Sequence, residues 1–307
     1  MSTHPSAAES VDPSTVGRLG RPERPKRRGR VTIAGGARVE PLVAAAFAWV
    51  GLLLILAVTA SWLPLHDPDV ATGMSRIGAF ADWSHPLGTD DLGRDMLSRV
   101  IFGIRTSLSI GLMAVAVGFV LGGWVGVVVG FFRGKVDASV GVLVDAWLAF
   151  PGLVLLLAIG AIMGPGLTTV VVGLSALAVP LFVRIARANA LQVADREFVQ
   201  AARLVGASSG RVIRREIIPN VIPPMIAYAV VLMGTMISAE TALSYLGVGV
   251  SPPTSSWGQM IADGQFSIAE YPHLVFVPTA VLALTIYAFS VMGDWARAQF
   301  DTGQAKV

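Results

Sequence analysis

The sequence predicts an all-α polytopic membrane protein with six transmembrane helices and both termini on the cytoplasmic side. Three observations lead there. Of the 307 residues, 54% are hydrophobic and only 14% are charged, against about a quarter charged in a soluble domain. Six stretches are long and apolar enough to approach the roughly 20 residues that a helical span requires. The Lys and Arg residues gather on one side of those stretches.

The first stretch runs from Leu42 to Leu63 and the second from Ser107 to Phe132, both without a charge. The third, Ala138 to Met163, holds Asp145 alone. The fourth, Leu167 to Val183, is short and uncharged. The fifth, Val221 to Gly247, holds only Glu240, and the sixth, Leu274 to Gly293, is uncharged. Hydrocarbon offers no partner to a free backbone N–H or C=O, so each stretch must be helical. Pro180, Pro223, Pro224 and Pro278 fall in these helices or at their ends and are expected to kink or cap them. The second stretch carries Gly118, Gly122, Gly126 and Gly130, four residues apart, a seam for close helix packing.

With the N-terminus inside, 19 of the 23 Lys and Arg fall on cytoplasmic segments. The other four, Arg76, Arg94, Arg99 and Arg105, fall in the first outer loop beside six aspartates. This bias sets the orientation and explains an isoelectric point near 9.6 without a nucleic-acid partner. The chain divides into a basic leader over 1–40, a first helix and outer loop over 41–106, a membrane core over 107–300 and a tail over 301–307. The leader is rich in Pro, Ser and Arg and is expected to be disordered. Its cations serve orientation and attraction to anionic membrane lipid. The apolar run that follows is too long for a cleaved signal and reads as a retained anchor.

No chemistry is visible. There is no cysteine for a disulfide, thiolate site or nucleophile. His4, His66, His85 and His273 are scattered, so no metal site is expected. Asp90, Asp91 and Asp95 lack the spacing of a calcium loop and are expected to cap and order the chain locally. No phosphate-binding GxxxxGK[ST], HExxH or GxSxG motif occurs, so no catalytic residue is expected.

The connection over 184–219 is too structured for a loop. Its Ala, Leu and Arg content favours helix. Gly206 stands where a left-handed helix cap belongs, Ser208 and Ser209 can start a second helix, and Pro219 follows Ile217 and Ile218. A helix, a tight turn of small residues and a second helix make an elbow. It reads either as a docking surface or as an amphipathic helix lying on lipid.

The stretch Gln200-Ala201-Ala202, then Gly206, then Glu216-Ile217-Ile218-Pro219 resembles the EAA loop of ABC-importer permeases. Ala201, Ala202, Gly206 and Pro219 match at the family spacing, while Gln200, Glu216 and Ile218 replace the usual Glu, Ile and Leu. The resemblance continues in order through residues 85–95 (HPLGTDDLGRD), Leu97-Ser98-Arg99, Val144-Asp145, Ala149-Phe150-Pro151, Gly164-Pro165-Gly166, Ala239-Glu240, residues 244–249 (SYLGVG) and residues 252–258 (PPTSSWG). These stretches are similar to those of dipeptide, oligopeptide and nickel permeases, in particular the second permease of a pair.

The resemblance implies a type I ABC-importer transmembrane domain in a bacterial cytoplasmic membrane, forming half of a peptide translocation path. It implies a paralogous permease, two ATPase subunits or domains carrying ATP and Mg2+, and an extracytoplasmic solute-binding protein as partners, with no cofactor on this chain. Gln200, Ala201, Ala202, Gly206, Ala207, Ser208 and Pro219 are then the ATPase-docking residues of the coupling loop, which works by alternating access. Asp145 and Glu240 read either as path or gating groups or as polar clamps between helices. Ser255, Trp257 and Met260 lie on a short outer helix that either contacts substrate or binding protein or anchors at the membrane interface. The rival reading is a stand-alone secondary transporter or channel, a class that shows internal repeats. None is visible between helices one to three and four to six.

Overall fold

In a computed structural model, residues 40–304 are described, with side chains to residue 299. The predicted leader lies outside them except for Glu40, as do the last three residues. Among the described residues the chain is helical, and strand pairing is confined to two isolated bridges in the outer loop. Among the described residues five helices are long and apolar enough to cross a membrane, and a bent pair of shorter helices reaches that length and apolarity only when taken together.

Helix α1 covers Pro41–Thr59 and opens on a proline, whose missing N–H costs nothing in a first turn. An outer loop follows. Helix α2, Met96–Phe132, starts 11 residues before the apolar stretch that predicted it. The reason is that its charges are satisfied within the protein. Asp95 caps it, accepting from Ser98 N at 2.8 Å. Arg99 is buried and donates to the Pro68 carbonyl at 3.1 Å. Arg105 donates to the carbonyls of Ala57 and Val58 and to the Ser61 hydroxyl, closing the C-terminal end of α1.

The third predicted span is two helices, α3 (Gly134–Ala149) and α4 (Gly152–Met163), bent by 83°. Pro151 sits at the break and Phe150 before it is extended, at φ −67°, ψ 132°. The proline ring disfavours the helical region for the residue before it, which fixes the corner.

Helix α5, Leu167–Ala194, passes through Pro180 and continues 11 residues past the predicted end at Val183. It thereby takes in Arg184 and Arg187, which the sequence assigned to a cytoplasmic connection. Both find carboxylates on α3. Arg187 holds Asp137 through two nitrogens, and Arg184 Nη2 lies 2.6 Å from Asp145 Oδ1. The short helix α6 is Glu197–Leu204. Helix α7, Ser209–Tyr245, is continuous through Pro219, Pro223 and Pro224. A π turn at Ile213–Ile217 precedes Pro219, whose ring nitrogen has no proton to give the turn before it. Helix α8 is Trp257–Gly264, and α9 is His273–Gln304 with Pro278 inside.

The core is built on contact between α2 and α5. The glycine seam of α2 lies directly on α5. A Cβ on Gly118 would stand 2.7 Å from Phe182 Cδ2, one on Gly126 2.5 Å from Val183 O, and one on Gly130 2.7 Å from Arg187 O. Helices in lipid associate by van der Waals packing, so backbones that can touch gain the most. Gly126→Val should therefore destabilise the protein by about 1–3 kcal/mol through overpacking. Gly51→Ala on α1, where an added Cβ meets nothing within 4 Å, should stay within about 0.5 kcal/mol. Thermal unfolding of the two purified variants in the same detergent measures the contrast.

Candidate functional site

The elbow begins where α5 ends at Ala194. After α6 the chain reverses at Gly206, whose φ is +89°. Gly206 N donates to Arg203 O at 3.0 Å and Ala207 N to Ala202 O at 3.1 Å. These two bonds form a Schellman cap, in which the residue after the helix takes the left-handed conformation that glycine adopts without strain. Ala202 and Ala207 both pack against the core cluster beneath the cap. The Ser208 carbonyl then accepts from Arg211 N at 2.9 Å and Val212 N at 3.0 Å and starts α7. The Ser208 side chain makes no cap bond, so the backbone starts this helix, contrary to the serine cap expected from the sequence.

One side of the elbow is fixed and the other is presented. Val199 is buried and pins α6 to the body, while Gln200, Ala201 and Ser208 are exposed. Gln200 Nε2 donates to Asp195 O at 3.1 Å, across the break between α5 and α6. At the tip, Leu204 and Val205 are 88% and 89% exposed. Sequence reasoning missed these two. Apolar residues ending an amphipathic helix read as core, and only the cap geometry turns them outward. Pro219 is exposed on the first turns of α7 but does not end that helix.

The turn between α2 and α3 braces the elbow. Arg133 has φ +56° there. Its Nη2 donates to Asp195 Oδ1 at 2.6 Å and to Leu191 O at 3.0 Å. Arg203 of α6 stands over the buried Phe131 ring, 4.6 Å from its centre, a favourable cation–π distance.

The two acidic residues of the spans differ. The side chains of Asp145 and Arg184 are 68% and 60% exposed on neighbouring helices. Glu240 has no exposed surface. Its Oε1 accepts from Ser244 at 2.9 Å and from Ser256 at 2.7 Å, tying α7 to the residue that caps α8. Ser256 Oγ also accepts from Gln259 N at 3.1 Å. Glu240 thus bridges α7 and the start of α8 through Oε1, while its buried Oε2 has no hydrogen-bond partner.

Ser255, Trp257 and Met260 lie at the start of α8. All three are buried, and Met260 also lines an outer cavity beside Asp90, Arg94 and Asp263. Trp257 is 0% exposed. Its backbone N donates to Ser107 Oγ at 3.1 Å and its indole to Val100 O at 3.1 Å. A buried indole needs such a partner, and α2 supplies it.

The aspartates of the outer loop do the ordering work expected of them. Asp90 accepts from Leu92 N, Arg94 N and Arg94 Nε, the last at 2.7 Å. Arg94 and Arg99 reach Asp263 of α8 at 3.6 and 3.9 Å. Burial pushes the Asp263 carboxyl above its ordinary value, against the pull of the Gln259 hydrogen bond and of the two arginines. These residues line an outer cavity of about 330 Å³.

Burial separates the two sets of apolar side chains energetically. Trp257→Ala should cost about 3–5 kcal/mol, while Leu204→Ala at the exposed tip should stay within about 0.5 kcal/mol. Thermal unfolding in detergent reads both.

Residues 118–306 match the family described as "Binding-protein-dependent transport system inner membrane component". The chain is similar to the glutathione transport system permease protein GsiD of Pectobacterium atrosepticum, 32% identical over 262 residues, 85% of this chain and 87% of that protein. It is 31% identical to the GsiD proteins of Shigella dysenteriae and Escherichia coli O157:H7, over 86% of this chain and 87% of each. Among solved structures it is similar to inward-facing forms of the MetNI methionine ABC transporter. The TM-score is 0.57 at 22% identity, with 66% of this chain and 97% of that chain covered. The match over more than half of the chain, and relatives above 30% identity over most of its length, make it a member of the binding-protein-dependent transport system inner membrane components.

Proposed function

We propose that this chain is one of two permease subunits of an ATP-driven importer for peptide-class solutes in a bacterial cytoplasmic membrane. It does no chemistry itself. The energy comes from two cytoplasmic ATPase subunits or domains that carry ATP and Mg2+. The solute is delivered by an extracytoplasmic binding protein, and a paralogous permease completes the path. The peptide class rests on the similarity to permeases named for glutathione transport.

The observation that carries the reading is the elbow. A Schellman-capped turn presents Leu204 and Val205 almost fully exposed, between the short helix α6 and the long apolar helix α7. Exposed apolar side chains on a rigid support suit a partner's groove. The contacts of Arg133 with Asp195 and of Arg203 with Phe131 tie the elbow to the ends of α2 and α5. ATP-driven approach of the two docked ATPases would then tilt the helices and open the path outward, with hydrolysis resetting it.

The Asp145–Arg184 pair supports the second half of the reading. A charged group at membrane depth costs several kcal/mol unless it faces protein or water. Both members are exposed in the isolated chain. This face of α3 and α5 therefore belongs against the partner permease and the water-filled path, with the pair as a gating group.

Purification of the tagged chain from its native membrane in mild detergent should recover one paralogous permease and two ATPase copies per complex. Recovery of the chain alone, stable and monodisperse, would count against the reading. In the reconstituted complex, Gly206→Val and Leu204→Asp should abolish transport and solute-stimulated ATP hydrolysis while insertion persists. Arg133→Ala should reduce transport on the order of tenfold, a coupling-sized loss, with the complex still assembled and basal hydrolysis retained.

A further inference from the structure

Two histidines that lie far apart in sequence meet in the outer loop. His66 follows α1, and His85 lies ten residues before the α2 cap. Their ring centres are 4.8 Å apart with an interplanar angle of 35°. Asp95 joins them, and one ligand atom from each of His66, His85 and Asp95 lies within 4.8 Å of the others. His85 and Asp95 are buried, and His66 is exposed at the rim.

The surroundings orient these groups. Asp95 Oδ2 is taken by the helix cap, accepting from Ser98 N and Oγ at 2.8 and 2.7 Å. Oδ1 is left facing His85 Nδ1 at 2.9 Å. Thr72 lies 3.3 Å from His85 Nε2. The same Thr72 donates its backbone N–H to Gly93 O at 2.8 Å, which holds the strand of chain after α1 against the approach to α2. The carboxylate and the inner imidazole are therefore positioned by the fold, and only the outer imidazole has room to adjust.

From this constellation we propose a binding site for a zinc-class divalent transition-metal ion, formed by His66, His85 and Asp95, that staples the two arms of the outer loop together. Two imidazole nitrogens and a carboxylate oxygen are the donor set that such ions favour over calcium or magnesium. Around a tetrahedral ion with bonds of about 2.0–2.2 Å, donor atoms stand about 3.3 Å apart and the two ring centres about 5 Å apart. The 4.8 Å ring separation fits that geometry. The His85–Asp95 contact must widen slightly and His66 must close by about an ångström or more, which its exposure permits. Three protein donors leave one position for water. The ion here is a fixture of the loop and not the transported solute, so the proposal stands or falls apart from the import reading.

The test uses the full chain in its assembled complex, in nanodiscs, with an affinity tag that contains no histidine. Zinc binding is measured by competition with a chromophoric chelator, and Co2+ is substituted to read coordination from its visible spectrum. The wild type should bind one zinc per chain and give the intense visible bands of a four-coordinate Co2+ site. His66→Ala, a change at an exposed residue that leaves the buried pair intact, should weaken zinc binding at least about tenfold and remove those bands. Zinc should also raise the thermal midpoint of the wild type and not that of H66A. Absence of stoichiometric zinc in the wild type would overturn the site and leave His85–Asp95 a hydrogen-bonded pair. Equal binding by the wild type and H66A would overturn it as well.

Discussion

The contact between the glycine seam of α2 and the small-residue face of α5 is the constraint on which the rest depends. Ala178, Ala186 and Ala190 of α5 are fully buried, with Phe182 between them. Side chains at the seam would hold the two backbones apart, and lipid offers no hydrophobic force to bring them back. Beyond the membrane these same helices carry the groups that set the elbow. Phe131 lies in the last turn of α2 and Arg133 follows that helix, while Leu191 and Asp195 lie at the end of α5. The seam thus fixes the spacing of the brace as well as of the core.

Polar groups play the second part, and each sits where two elements must be joined. Arg187 and Arg184 hold α3 to α5. Arg105 closes α1 onto α2. Glu240 joins α7 to the start of α8, and Trp257 joins α8 to α2. In hydrocarbon an unpaired polar atom is costly, so such pairings specify which helices meet. The apolar surfaces give area, and the polar atoms give register.

The spans, the glycine seam and the elbow were legible because each rests on local spacing. The lengths of the spans were less so. Charge marked the predicted ends of the second and fourth, yet Arg99, Arg184 and Arg187 are all satisfied by partners distant in sequence. The Asp145–Arg184 pair bridges 39 positions, and no spacing rule reaches that far. Trp257 and Met260 looked like outer-surface residues because they follow a Pro- and Ser-rich stretch. Their burial depends on a slot between α2 and α9 that only the packed bundle creates. His66 and His85 looked scattered for the same reason: a loop folded back on itself brings them together.

Helix α7 is 37 residues long, roughly 55 Å at the helical rise. The hydrocarbon core it crosses is about 30 Å thick. The excess leaves the elbow at one end of a continuous helix and the Glu240–Ser256 contact close to the other. On the proposed docking role of the elbow, a small angular swing there would be carried along the helix as a displacement at its outer end. There it would act on α8 through the Ser256 hydroxyl on Glu240, because a single continuous backbone runs from the elbow to the outer end.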